Sequence, residues 1–273
     1  MDRFDFIELD QSKKAVPQQD QPLQARPHDG PSFYQAGRQM RAAGHFSAAV
    51  AYYEKVLGFN DQHYAAWAEL IDSLVRLGEL DRAEAKAQEA VQNYGKVRLL
   101  YAGRALVSAH RGHIDPAYNF SDISVDDKDA SWYAWCVRAE VALHGSRENR
   151  FFAAEMLEKA FEKAESEWEP YVLAGWMHLD ANLPVLAAAY FAEAARYNPL
   201  APICWLGLGD SFLQLRLYDQ ARFYYQRVTE LEPNHKRALE RQAQCCKLMY
   251  GLMRPFRPES LYRRWKKEYD KLL

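Results

Sequence analysis

The chain has 273 residues, 49% of them hydrophobic, with 35 Lys and Arg against 37 Asp and Glu and a formal net charge of −2. That balance gives no global attraction to nucleic acid or an anionic membrane, and no run approaches the ~18 apolar residues that a spanning helix needs. The acidic opening Met1-Asp2-Arg3-Phe4-Asp5 is unlike a secretory leader, and Cys136, Cys204, Cys245 and Cys246, two of them adjacent, make no disulfide framework, so a cytoplasmic chain with reduced thiols is expected.

In chain order, a short apolar stretch, Phe4-Asp5-Phe6-Ile7-Glu8-Leu9, precedes a segment rich in Gln, Pro, Asp and Lys that includes Pro17, Pro22, Pro27 and Pro31. Such a composition cannot build a core, so residues 1–29 are expected to be disordered, with residues 4–9 either self-bound in the protein's own groove or docked on another protein. From residue 30 an aromatic column begins: Phe33, Trp67, Tyr101, Trp135, Tyr171 and Trp205, spaced by 34, 34, 34, 36 and 34 residues. A fixed period of this length marks a repeat architecture. The repeats run 30–63, 64–97, 98–131 (degenerate in its second half), 132–167 (with an insertion near Gly145 to Asn149), 168–201 and 202–235. In each, position 8 carries Gly37, Ile71, Ala105, Ala139, Gly175 or Gly209, and position 20 carries Ala49, Ala83, Ala117, Ala153, Ala187 or Ala221. Small residues at both columns let two helices approach closely, while Tyr53, Leu157, Phe191 and Tyr225 fill the space beside them. Gly44, Gly78 and Gly112 fall between the two helices, and Pro199 and Pro233 near the end of the second. Residues 236–250 keep the phase as a single capping helix. The last segment, 251–273, is expected to be a basic aromatic C-terminal helix: Pro255 and Pro258 break the chain, and the helix follows over about 259–272 with Leu261, Tyr262, Trp265, Tyr269 and Leu272.

These columns resemble the tetratricopeptide repeat (TPR). The segment 202–235 carries Trp205, Leu208, Gly209, Tyr218, Ala221, Tyr225 and Pro233 in the family's order, and the resemblance covers about 30–250. It implies an all-α, right-handed solenoid of antiparallel helix pairs whose first helices line a concave face. The family's groove positions, 2, 5, 9 and 12 of each first helix, fall on one helical face. They give Tyr34 and Arg38; Leu99 and Leu106; Tyr133, Glu140 and Leu143; Val172, Trp176 and Leu179; and Ile203, Leu206, Asp210 and Leu213. The subgroup that grips a C-terminal carboxylate needs Lys and Asn partners that do not accompany Arg38.

Chemistry is sparse. Gly207-Leu208-Gly209 lacks the strand that a phosphate-binding turn requires. His110 and His113 are the closest histidine pair but have no Cys or carboxylate at ligand spacing, so no metal and no cofactor are expected. Glu162, Glu165, Glu167 and Glu169 read as a solvated acidic surface, and Asp122, Asp126, Asp127 and Asp129 as a loop. The expectation is therefore a non-enzymatic protein–protein interaction scaffold. It would hold an apolar peptide or helix of a partner in the groove, as a chaperone or assembly factor would. The alternative is a regulatory subunit that touches RNA or an anionic membrane through its basic C-terminal helix.

Overall fold

The computed structural model describes residues 30–146, 149–164, 167–253 and 267, and among them it contains thirteen α-helices and no strand. Six antiparallel pairs follow one another. They are α1 (Gly30–Ala42) with α2 (Phe46–Phe59), α3 (Tyr64–Arg76) with α4 (Leu80–Tyr94), and α5 (Leu99–His110) with α6 (Ile114–Val125). Then come α7 (Trp132–His144) with α8 (Arg150–Lys163), α9 (Glu169–Asp180) with α10 (Pro184–Tyr197), and α11 (Pro202–Gln214) with α12 (Tyr218–Leu231). The last helix, α13 (Lys236–Met253), runs past the expected end at 250. The apolar segment 4–9, its linker and the basic stretch 254–273 lie outside the described residues, apart from Lys267.

The sharp turn inside five of the six pairs has one backbone solution, whereas between α7 and α8 Gly145 keeps a negative φ of −76°. Gly44, Gly78 and Gly112 sit at φ of +80°, +77° and +78°, and Asn182 and Arg216 take the same place in repeats five and six at +59° and +61°. After each, the next N–H reaches back past the turn into the helix: His45 N to Met40 O at 2.8 Å, Glu79 N to Leu74 O at 3.0 Å, and Leu217 N to Phe212 O at 2.9 Å. This Schellman closure satisfies carbonyls that the helix end would orphan. Glycine adopts that conformation freely, whereas Arg216 carries a Cβ through it.

The aromatic column ties one pair to the next. Trp67 Nε1 donates to Asp61 O at 2.7 Å and Trp205 Nε1 to Pro199 O at 2.8 Å, each bridging to the turn six residues before it. All six alanines of the position-20 column are buried, with at most 2% exposure, where the paired helices cross. Gly209 faces Tyr225 so closely that a methyl group there would stand 2.4 Å from the ring. The degenerate half of repeat three still folds as α6. Ser121 and Ser124 are buried on it and bond back to Tyr118 O at 2.9 Å and Ser121 O at 2.8 Å. Asp122, expected in a loop, is on that helix and pairs with Arg138 at 2.6 Å.

The superhelix winds tightly enough for its ends to meet. Phe46 of α2 packs in one buried cluster with Val172, Trp176 and Ile203. His235, ahead of α13, bonds through Nε2 to Ala43 O at 2.8 Å across 192 residues of sequence.

Two outcomes follow from the turn and crossing geometry. Ala221→Leu should overpack the α11–α12 crossing by about 1–3 kcal/mol and lower the melting midpoint with helicity unchanged at the start. An unchanged midpoint would contradict the crossing. Arg216→Gly should raise stability by roughly 0.5–1 kcal/mol, the relief of the left-handed strain less glycine's extra chain entropy; a lower midpoint in thermal denaturation would contradict it.

Candidate functional site

The first helices of the pairs face inward, and the axis they surround is narrow. Arg76, at the end of α3, reaches across it to Glu140 Oε2 of α7 at 2.9 Å and Asp180 Oδ2 of α9 at 3.2 Å, while its Nε faces Asp72 Oδ1 at 3.5 Å. Arg41 of α1 approaches Asp72 Oδ2 at 3.1 Å and Glu69 Oε2 at 3.8 Å. Asp72 is 1% exposed and neither oxygen receives a hydrogen bond, so these two guanidiniums hold it by charge. Glu69 also accepts from Tyr34 at 2.7 Å and Tyr53 at 2.5 Å. Arg38 pairs with Glu169 of α9. Further along, Asp210 takes Tyr225 at 2.6 Å, Arg237 at 2.6 Å and Arg241 at 3.6 Å, and Arg237 also lies 5.4 Å from the Trp176 ring centroid.

Burial alone would push the Glu140 carboxyl up, but Arg76 and the His110 hydrogen bond outweigh it and hold it at about 2. Burial raises the Asp180 carboxyl against the pull of Arg76. The His144 imidazolium is disfavoured by burial and by His110. Burial pushes the thiols of Cys136 and Cys204 far up, so neither is an activated nucleophile.

The open apolar trough expected from the groove positions is filled. Leu106, Tyr133, Leu143, Val172, Trp176, Ile203 and Leu206 are buried, the most accessible being Trp176 at 9%. Glu140 is buried with them. Leu99, Leu179 and Leu213 are half-buried, as are Tyr34, Arg38 and Asp210. The winding is responsible: with Tyr133 Oη reaching Ala68 O at 3.5 Å, α7 touches α3 directly and leaves no space for a helix between them. Near Arg41, Asp72, Arg76 and Trp176 a cavity of about 20 Å³ remains, room for about one water. The Trp176 indole N–H has no hydrogen-bond partner.

A larger space survives at the mouth of the superhelix. A cavity of about 230 Å³ is walled by Tyr34, Trp132 and Tyr133, with Arg38, Arg41, Glu69, Leu99 and Glu167 at its sides. It gathers Tyr34, Arg38, Leu99 and Tyr133 of the expected groove and leaves the other groove residues out. Trp132 and Glu167 were not among the expected residues; Trp132 stands next to the groove column, and Glu167 closes repeat four. Glu169, expected on a solvated acidic face, is instead taken in by Arg38. Its neighbour Glu167 has its carboxyl raised by burial and then by Glu169.

The histidines divide by role. His63 and His235 accept at Nδ1 from the N–H three residues on, Ala66 N and Ala238 N, both at 3.2 Å, and so cap α3 and α13. His110 finds its partners one repeat away and not at His113, its nearest histidine in sequence. It bonds Glu140 Oε1 at 2.8 Å, and its ring lies 4.8 Å from that of His144. All four cysteines are buried, and none forms a disulfide.

The helix pairs, their turns and their superhelical winding define an all-α repeat solenoid. The tetratricopeptide repeat profile matches residues 30–97, 172–235 and 206–246, more than half of the sequence, and the chain belongs to that family. Among solved structures, the Cut9–Hcn1 hetero-tetramer of the APC/C superposes with a TM-score of 0.61 at 14% identity, over 88% of this chain and 46% of that one. This chain thus spans less than half of that protein's length. A thermophilic TPR protein of Thermus thermophilus gives 0.47 at 17% identity, over 80% of this chain and 98% of that one. YrrB, a TPR protein with an unusual peptide-binding site, gives 0.39 at 17% identity, over 69% and 96%. No curated protein matches the sequence. Among the described residues no helix is long and apolar enough to cross a membrane.

Arg76 serves acids on three helices, so Arg76→Met should cost about 3–5 kcal/mol by leaving buried carboxylates unpaired. The pH dependence should change sign. In the wild type the depressed Glu140 carboxyl contributes stability that is complete above its unfolded value of 4.5 and fades as pH falls toward about 2. In Arg76→Met the unpaired acids take up protons on folding, so lowering the pH from 7 to 5 should raise the melting midpoint. Parallel pH profiles for the two proteins would refute this assignment.

Proposed function

We propose that the protein is a non-enzymatic protein–protein interaction scaffold that takes an anchoring side chain of a partner segment into the cavity between Tyr34, Trp132 and Tyr133. That cavity is the observation that carries the reading. At about 230 Å³ it falls below the ~300–1,000 Å³ of small-molecule pockets and suits one or two side chains. Its walls are aromatic, the surface on which interface anchors dock. Arg38 and Arg41 in the wall are already engaged, by Glu169 and by Glu69 and Asp72, so Glu167 at the edge would offer complementary charge to a Lys or Arg next to the anchor.

An extended partner segment with one apolar anchor replaces the whole helix that an open trough would have held. Holding such a segment of an unassembled subunit is what an assembly factor or chaperone does, and that role is part of the same proposal. The expected groove residues left buried act in this reading as the rigid wall behind the cavity. The alternative carried by the basic C-terminal stretch falls on residues 254–273, which apart from Lys267 lie outside the described residues.

A random peptide library panned on the full chain should enrich an aromatic or large aliphatic residue flanked by Lys or Arg. Trp132→Ala should weaken a selected peptide by roughly thirtyfold, about 2 kcal/mol, per folded molecule, with the lost packing on the core read separately as a lower melting midpoint. Glu167→Gln should weaken it severalfold, and less so in high salt. Selected peptides that bind Trp132→Ala and the wild type equally would defeat the proposal.

A further inference from the structure

The repeat brings together ligands that lie far apart in sequence. His110 and His144 occupy the same position of successive repeats, 34 residues apart, at the C-terminal ends of α5 and α7. Glu140 stands four residues before His144, one turn below it on the same face of α7. The ligand atoms of the three side chains lie within 4.8 Å of one another. We propose that His110, Glu140 and His144 bind one divalent cation of the zinc class, with the fourth position left to water.

Three features of the surroundings support the site. The first is charge. Asp72, Glu140 and the half-exposed Asp180 face two guanidiniums, Arg76 and Arg41, and Arg41 also faces Glu69, so acids outnumber arginines along this part of the axis. A divalent ion supplies the balance. The second is orientation. Arg76 holds Glu140 Oε2 at 2.9 Å, which leaves Oε1 aimed at His110 Nε2, 2.8 Å away. Outer partners that fix a ligand in this way are typical of metal sites. The ion would sit where His110 and Glu140 now share a hydrogen bond. With bonds of about 2.0–2.2 Å, tetrahedral ligands stand about 3.4 Å apart, so the pair opens slightly and His144 swings in. The third is access. His144 and Asp180 line a cavity of about 180 Å³ together with Leu143, Arg150, Ala181 and Asn182. Two imidazoles and one carboxylate suit zinc, cobalt or nickel and are a poor set for calcium or magnesium.

The chain contains a control. His45, Glu232 and His235 are equally close. Both ring nitrogens of His235 are engaged, Nδ1 by Ala238 N–H and Nε2 by Ala43 O, so no lone pair is available there without undoing the cap of α13 and the contact between the first and last repeats.

Titration of the metal-free full chain with cobalt(II) chloride should produce the visible bands of four-coordinate cobalt at one equivalent, and zinc chloride should displace them. Zinc binding followed by calorimetry in two buffers of different ionisation enthalpy should release protons. His144→Ala and the volume-conserving His144→Gln should each weaken binding at least about tenfold while circular dichroism stays unchanged. His45→Ala should bind as the wild type does. Absence of cobalt bands, or binding lost in His45→Ala and kept in both His144 variants, would overturn the assignment.

Discussion

The narrow axis of the superhelix governs the rest of the structure. Its inner helices approach until charged side chains on α1, α3, α7 and α9 must neutralise one another with almost no water between them. Arg76 is the clearest case, because one guanidinium spans the axis to Glu140 and Asp180 while facing Asp72 on its own helix. Buried ions are expensive when unpaired, so this network specifies the winding as much as it stabilises it. A wider superhelix would separate the partners and strand their charges. The apolar residues beside them, Leu106, Val172 and Trp176, are consequently core.

The helix pairs were legible in the sequence because each is a local problem solved six times. Ala at position 20 in all six repeats, Gly or Ala at position 8 in five and a bulky residue at position 24 in four are read off one repeat and tested on the next. Even the turn residues Asn182 and Arg216 fall in the glycine column, although neither signals a left-handed backbone by itself. The radius of the superhelix was not legible. It is a small rotation per repeat, accumulated over six, and no single residue encodes it. Groove positions carried over from the family presuppose an open radius, and for this reason Leu106 and Leu206 read as lining and are buried. Glu169 shows the same limit: Glu165 and Glu167 precede it at alternate positions, and its spatial neighbour is Arg38, 131 residues away.

The histidine–glutamate cluster was not legible for a related reason. Ligand searches along a sequence look for short spacings, which favoured His110 with His113. A solenoid places its near neighbours one repeat apart, so His110 stands against His144. In an array of this kind the relevant spacing is the repeat length, plus or minus one helical turn. Glu140 follows that rule as well.

The contact between His235 and the end of α1 turns a linear array into a closed circuit. An open solenoid adds or loses end units independently, because each touches only its neighbours. Here the first unit has neighbours on both sides, one adjacent in sequence and one about five repeats away, so it has no free end to peel from. The order of assembly changes accordingly. Local pairs zip quickly, whereas the joint between first and last units must wait until every unit between them has its correct rotation, since closing a loop of this length has to be offset by contacts that form only at the end. The joint therefore acts as a proofreading step: a rotational error in any intervening repeat would move Ala43 out of reach of His235 and leave the circuit open.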